Sequence, residues 1–293
     1  MRPLFDLIQA LRPRQWTKNL LVFAGLVFAQ EAMNSRAVTE AIEAFFVFCL
    51  LAGSIYLVND SLDVKQDRLD PIKRNRPLAA GRISVPVAIV TAAILLVLAL
   101  IAAYESSGVG LLRLCLLYAG INLAYSGFLK HIVIIDVFCV ASGFVLRAVA
   151  GAVAIGAVIS PWLIICTLLL ALFLALAKRR GEIMTHGDQA YAHRAILAEY
   201  TPALLDQMIS VMTASTLMSY ALYTISDRTV EMIGSTNMLY TVPFVIYGIF
   251  RYLYLVHQKG IGGHPDRALL HDWPLGVNVL LYGAVAAAII YLR

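Results

Sequence analysis

Long uncharged stretches alternate with short charged ones along this chain, and the uncharged stretches are too long to be strands. The run "AFFVFCLLAGSIYLV" (44–58) is representative, with no charge and no period-two alternation of polar and apolar residues. Nine apolar segments can be placed, at about 19–34, 41–60, 85–103, 109–126, 133–154, 161–178, 205–224, 238–256 and 275–292. Crossing roughly 30 Å of hydrocarbon takes about 20 helical residues. Lipid offers the backbone no hydrogen-bond partner, so such segments must be helices. The pattern predicts an all-α polytopic membrane protein, a nine-transmembrane-helix bundle, with residues 1–293 forming a single domain. Segment 19–34 is expected to be retained, not cleaved as a signal peptide, because 18 polar-leaning residues precede it and eight more spans follow.

Composition agrees. The chain is 60% hydrophobic and only 14% charged, against roughly 25% charged in a soluble domain. The charges are also sorted. With the N-terminus placed in the cytoplasm, 18 of the 23 basic residues fall in inside segments. Only Arg36, Arg113, Arg228 and Arg293 fall outside, and Arg147 lies deep in the fifth span. That asymmetry predicts a cytoplasmic N-terminus and an outside C-terminus in a cell (plasma) membrane. It also accounts for the net charge of +5, so nucleic acid is not expected as a partner. Cys49, Cys115, Cys139 and Cys166 all sit in spans without a CxxC pair and read as small core residues. The six histidines form no metal-binding spacing. A homo-oligomer is left open.

The long inside connections, 60–84, 178–204 and 257–274, are where chemistry is expected. In the first, "NDSLDVKQDRLDPIKRNRPLAAGR" (59–82), Asn59, Asp63 and Asp67 stand at i, i+4 and i+8, and Asp60 falls on the same helical face. Like charges at that spacing repel. A shared hard cation relieves the repulsion, and Mg²⁺ commonly takes one or two carboxylates together with substrate phosphate oxygens. Asn59, Asp63 and Asp67 are therefore the candidate metal ligands, and Asp60, Asp63 and Asp67 the candidate catalytic acids. The bland alternative is a solvated helix end whose aspartates pair with neighbouring cations. Lys73, Arg74 and Arg76 follow, and guanidinium groups fork onto phosphate oxygens. An acidic stripe beside a basic loop suits a diphosphate.

Those residues carry a resemblance. N-x-x-x-D-x-x-x-D after the second span resembles the first aspartate motif of the UbiA-type intramembrane transferase superfamily. The stretches "LRPRQWTKNLLVFAGLVFA" (11–29), "YSGFLKHIVIIDVFCVASGFVLRAVAG" (125–151) and "AKRRGEI" (177–183) resemble its polyprenyl-phosphate phosphoribosyltransferase branch. Aromatic prenyltransferases of the superfamily usually carry a second Asp-rich motif after span six. Here that position reads "KRRGE", with Glu182 its only carboxylate, as in the phosphoribosyl branch. The resemblance implies Mg²⁺-dependent transfer of 5-phosphoribosyl from phosphoribosyl diphosphate to polyprenyl (decaprenyl) phosphate at the cytoplasmic face, for cell-wall arabinan.

Further candidate substrate contacts are Lys18, Asn19, Tyr125, Lys130, Asp136, Arg147, Lys178, Arg179 and Glu182. An intramembrane arginine is a functional candidate by default. Arg147 stands about 16 Å along its helix from Asp136, too far for direct pairing, and burial against carbonyls or another helix's polar group is the alternative for it. Lys178 and Glu182 are four apart and can pair on one face. The Gly262–Gly263 pair in the inside loop 251–275 permits a tight turn at a substrate rim. Two rival functions are prenyl transfer onto an aromatic or other small acceptor, and transport of anionic metabolites. A transporter is expected to show polar or broken helices at mid-membrane; here the charges crowd at one face.

Overall fold

The computed structural model describes residues 2–71, 73–186, 195–259 and 271–292. Arg194, Arg267, Arg293, His193, His264 and the Gly262–Gly263 pair lie outside the described residues. All regular structure among the described residues is helical. Among the described residues, seven helices are long and apolar enough to cross a membrane. The chain divides into two compact units, Met1–Leu163 and Ile164–Arg293.

The first unit opens with α1 (Arg2–Ala10), a 3₁₀ segment (Pro13–Phe23) and the short α2 (Ala24–Phe28). The expected first span, 19–34, thus takes the form of a 3₁₀ segment running into five α-helical residues. This segment makes a backbone-to-backbone approach to α6 (Ile135–Ala154). A Cβ on Gly151 would overlap the Val22 carbonyl, and one on Gly25 would meet the Ala152 backbone at 2.5 Å. Small residues at membrane helix interfaces permit such approaches.

Helix α3 (Ser35–Leu62) begins at Asn34, whose side chain accepts from the amides of Arg36 and Ala37 at 3.1 and 3.4 Å. It does not stop cleanly. The Asp63 amide bonds the Asn59 carbonyl at 2.9 Å and the Asp67 amide bonds the Asp63 carbonyl at 2.8 Å, carrying the helical pattern into α4 (Val64–Leu69). The helix expected to run past the second span is thus interrupted at Asp63, with φ −93° and ψ 6°, although backbone bonds four residues apart bridge the joint. Helix α5 (Val85–Gly127) contains both the third and fourth expected spans, separated by a bend at Ser107 and Gly108. Gly108 has φ +67°, which a side chain would resist. Val22, Phe48, Leu51, Leu111, Tyr118 and Leu146 meet in the core joining α3, α5, α6 and the 3₁₀ segment.

The second unit takes in α7 (Pro161–His186) from Ile164 onward, α8 (Pro202–Ile225), the short α9 (Asp227–Ile233), α10 (Val242–Gln258) and α11 (Trp273–Tyr291). Some of its buried polar side chains pair with one another or with backbone: Tyr220 meets Thr241 at 2.7 Å, and Asn278 Nδ2 donates to the Phe244 carbonyl at 2.9 Å. Arg251 forks onto Asp272 at 3.0 and 2.8 Å, and Asp272 in turn accepts from the Leu275 amide to cap α11.

Candidate active site

The α3–α4 joint and the turns after it gather a compact set of charges. Asn59 is held at both ends of its amide: Ser126 Oγ donates to its Oδ1 at 3.1 Å, and its Nδ2 donates to Asp63 Oδ2 at 3.2 Å. Lys130, just beyond α5, donates to Asp63 Oδ1 at 2.6 Å. Arg76 donates from Nη1 to Asp67 Oδ2 at 2.7 Å and to Asp60 Oδ1 at 3.2 Å. Arg12 also donates to Asp60 Oδ1. Three carboxylates thus interlock with three cations, and the array is neutral as a set.

Local folding puts these groups there. Asp70 accepts from the Lys73 amide at 2.9 Å and turns the chain back, and Arg68 donates to the Ala79 carbonyl at 3.1 Å. Arg82 donates to the Asn75 carbonyl at 2.8 Å, closing the loop that presents Arg76. Arg12 has a left-handed backbone, φ 54° and ψ 61°, unusual for a residue with a side chain. That conformation turns its guanidinium over the Tyr56 ring, 5.0 Å from the centroid, and onto Asp60. Burial pulls the Arg12 pKa below its ordinary value, and the Asp60 carboxylate opposes the fall.

Among the described residues, no group of three or more His, Cys, Asp or Glu side chains is set to hold a metal ion. The donor set nonetheless suits a hard cation. It is made wholly of carboxylate and amide oxygens, and Asp60 Oδ2 is buried without a hydrogen-bond partner. Cations from this chain take the places a metal would compete for.

Of the residues expected from sequence, Asn59, Asp60, Asp63, Asp67, Arg76 and Lys130 come together in this array. Lys73 is near it but pairs with Asp70 at 3.3 Å, and Arg74 is exposed. Tyr125 is half-buried beside Ser126, and Asp136 is fully buried in the first turn of α6, where the helix dipole favours an acid. Lys18 lies half-buried on the 3₁₀ segment. Asn19 and Arg147 form a separate buried node: Arg147 donates to Asn19 Oδ1 at 2.7 Å, to the Gly143 carbonyl at 2.7 Å and to Tyr118 Oη at 2.6 Å. This is the arrangement of burial against a carbonyl and another helix's polar group. In the second unit, Arg179 donates to Glu182 at 3.1 Å and Lys178 approaches Glu182 at 3.9 Å.

Sequence reasoning missed Arg12, Ser126, Tyr56 and Tyr118. Only Arg12 left a signal, as a cation just ahead of an apolar run, and it reads equally as a topology anchor.

The fold and the array together define a polytopic helical membrane protein with a polyionic site at the end of one span. The chain belongs to the UbiA prenyltransferase family, whose model matches residues 19–265. It is 38% identical over 281 residues to a decaprenyl-phosphate phosphoribosyltransferase from Corynebacterium glutamicum, covering 94% of this chain and 84% of that one. A protein of the same name from Mycolicibacterium smegmatis is 34% identical, covering 97% and 92%. Among solved structures, a UbiA homolog from Archaeoglobus fulgidus bound to GPP and Mg²⁺ superposes with TM-score 0.74 at 19% identity, over 97% of this chain and 99% of that one. That last likeness concerns the fold.

Proposed function

We propose that this chain transfers a 5-phosphoribosyl group from phosphoribosyl diphosphate to polyprenyl (decaprenyl) phosphate, releasing pyrophosphate, as a step toward cell-wall arabinan. The observation that carries this reading is the interlocked carboxylate–cation array at the α3–α4 joint, in a chain matching two decaprenyl-phosphate phosphoribosyltransferases over nearly its whole length. The whole of 1–293 acts as one transferase domain in the cell membrane, with nine spans, the N-terminus and active site cytoplasmic and the C-terminus outside. Seven long helices, the bend that divides α5 and the segment 13–28 support that count.

Asn59, Asp63 and Asp67 would hold Mg²⁺, which when bound neutralises diphosphate oxygens and stabilises the pyrophosphate as it departs. This chain's own cations do the rest. Arg76, held on Asp67 and Asp60, and Arg12, held on Asp60, turn to phosphate oxygens, where a guanidinium fork matches the geometry. Lys130 donates to Asp63 and orients it. Lys73 and Arg74 add positive charge at the loop, and Lys18 with Tyr125 lies at the rim where the lipid phosphate enters. Lys178, Arg179 and Glu182 supply the second charged inside segment. The acceptor phosphate is already an anion near neutral pH, so its oxygen attacks the ribose anomeric carbon without a strong base. The bond from that carbon to the diphosphate breaks with its electron pair leaving on pyrophosphate. Attack in line inverts the anomeric centre.

The test uses purified protein in lipid with labelled phosphoribosyl diphosphate and decaprenyl phosphate. A labelled lipid that disappears in Asp63→Asn is the expected result. Turnover of a prenyl diphosphate with an aromatic acceptor, and no labelled lipid, would replace this reading with prenyl transfer.

A further inference from the structure

Helix α1 is docked on one face and open on the other. Asp6, Leu7 and Ala10 turn inward, where Leu7 and Ala10 pack with Leu57, Leu78, Ile83 and Ala88. Asp6, the only acid of the helix, is tied to Arg82 at 2.6 Å. On the opposite face, Leu4, Phe5 and Ile8 are 66, 68 and 47% exposed. At about 100° per residue these three fall within a single sector of roughly 100°. The remaining exposed side chain described on α1 is the neutral Gln9, so the described side chains of that face carry no charge.

Water is a poor match for such a face, and the position of α1 supplies another occupant. Its inward residues pack against the start of α5, and there Val85 and Val87 are 38 and 53% exposed at the beginning of a spanning helix. The apolar face of α1 is thus continuous with a surface that belongs in lipid. A short helix that is apolar on one side, and held to its protein on the other, fits the boundary between headgroups and acyl chains. We propose that α1 lies in the plane of the membrane with Leu4, Phe5 and Ile8 inserted among lipid acyl chains. This rests on the chain spanning a membrane and not on which reaction it catalyses.

The arrangement has a mechanical consequence. Arg82, which α1 holds through Asp6 and Gln9, also donates to the Asn75 carbonyl, next to Arg76. A lipid-seated α1 therefore fixes the height of the Arg76 loop relative to the membrane surface. A lipid phosphate arriving from the bilayer would meet that loop at a set depth.

Photo-crosslinking of the full chain tests this. p-Benzoylphenylalanine is placed singly at positions 4, 5 and 75 in proteoliposomes of phosphatidylethanolamine and phosphatidylglycerol. The adducts are then identified by intact mass. Lipid adducts at 4 and 5, with none above background at 75, are expected. Two positions on α1 are used so that failure of one variant to fold does not decide the matter. Crosslinked dimers at 4 and 5 would overturn the proposal in favour of a second copy of this chain. Unreacted label at 4 and 5 would overturn it in favour of a helix standing in solvent.

Discussion

The Arg76 guanidinium lies 2.7 Å from Asp67 Oδ2, although the two residues stand on opposite sides of the turn that follows α4. Asp67 is also one of the oxygens that would hold a metal ion. A single carboxylate oxygen cannot give full strength to both. The ion pair therefore keeps a buried acid satisfied when no ligand is present, and a cation taking its place would release the guanidinium. Since the array is neutral as a set, a dication or a polyanion alone leaves it charged, while the two together partly cancel. Binding of the two should be mutually favourable, and such coupling is reciprocal.

Replacing Arg76 with Gln should separate these effects. Divalent-ion binding without donor should strengthen, because a competitor for Asp67 and Asp60 is gone. Binding of pyrophosphate or donor should weaken by about tenfold or more, in line with the loss of a charge-assisted hydrogen bond. Calorimetric titration of Mn²⁺ or Mg²⁺, with and without pyrophosphate, measures both. Equal weakening of metal and anion binding would contradict the exchange.

Asp67→Asn and Asp63→Asn should each lower transfer by about 10² or more, the scale at which removal of a preorganised charge-stabilising group acts. Asp60→Asn is expected to behave differently. It leaves Arg12, a partly buried cation, with its carboxylate partner gone. Folded yield should therefore fall along with activity. Thermal unfolding alongside initial rates distinguishes the three variants.

Arg147 gives a prediction about stability. Its guanidinium is buried and shared among three neutral acceptors, and among the described residues no carboxylate pairs with it. It also sits over the Tyr118 ring, 4.9 Å from the centroid. Arg147→Met would leave Asn19, Tyr118 and the Gly143 carbonyl short of a donor, at about 1–3 kcal/mol for each buried group left unmade. A fall in Tm of several degrees is expected in detergent, and Asn19→Ala should reproduce part of it. Unchanged Tm with a raised KM for lipid phosphate would instead make Arg147 a substrate contact.

What the sequence disclosed, and what it did not, follows from range. Asn59, Asp63 and Asp67 were legible because their relation is local: four-residue spacing brings them to one joint, and backbone bonds four residues apart carry across the break at Asp63. Lys130 and Arg76 were legible as cations near the surface, but not as partners of particular acids, since those pairings depend on how α5 and the return loop pack. Arg12 was hidden because its role depends on a left-handed backbone that no composition announces. Arg147 and Asn19 were each marked as candidate substrate contacts, yet they are 128 residues apart and bond to each other. The same limit blurred the first span. Its apolar run reads as a long helix, but the contact of Val22 with Gly151 is visible only in three dimensions.

The clasp at the start of α11 carries a pH dependence. The fork from Arg251 holds Asp272 below the usual carboxylate range, and the Leu275 amide adds to the effect. A carboxylate with a depressed folded-state pKa contributes stability that is fully present above its unfolded value, about 3.9. That stability is lost as pH falls through the folded value. Between pH 7 and about 5 the clasp should therefore be constant, and further acidification should loosen the first turn of α11. Asp272→Asn retains a capping side chain but loses the charged fork, so the variant should show weaker protection near neutrality and a flatter response to acid. Hydrogen exchange of the amides from Leu275 to Asn278, followed across that pH range, provides the measurement. Equal acid sensitivity in the variant and the parent would assign the effect to another group.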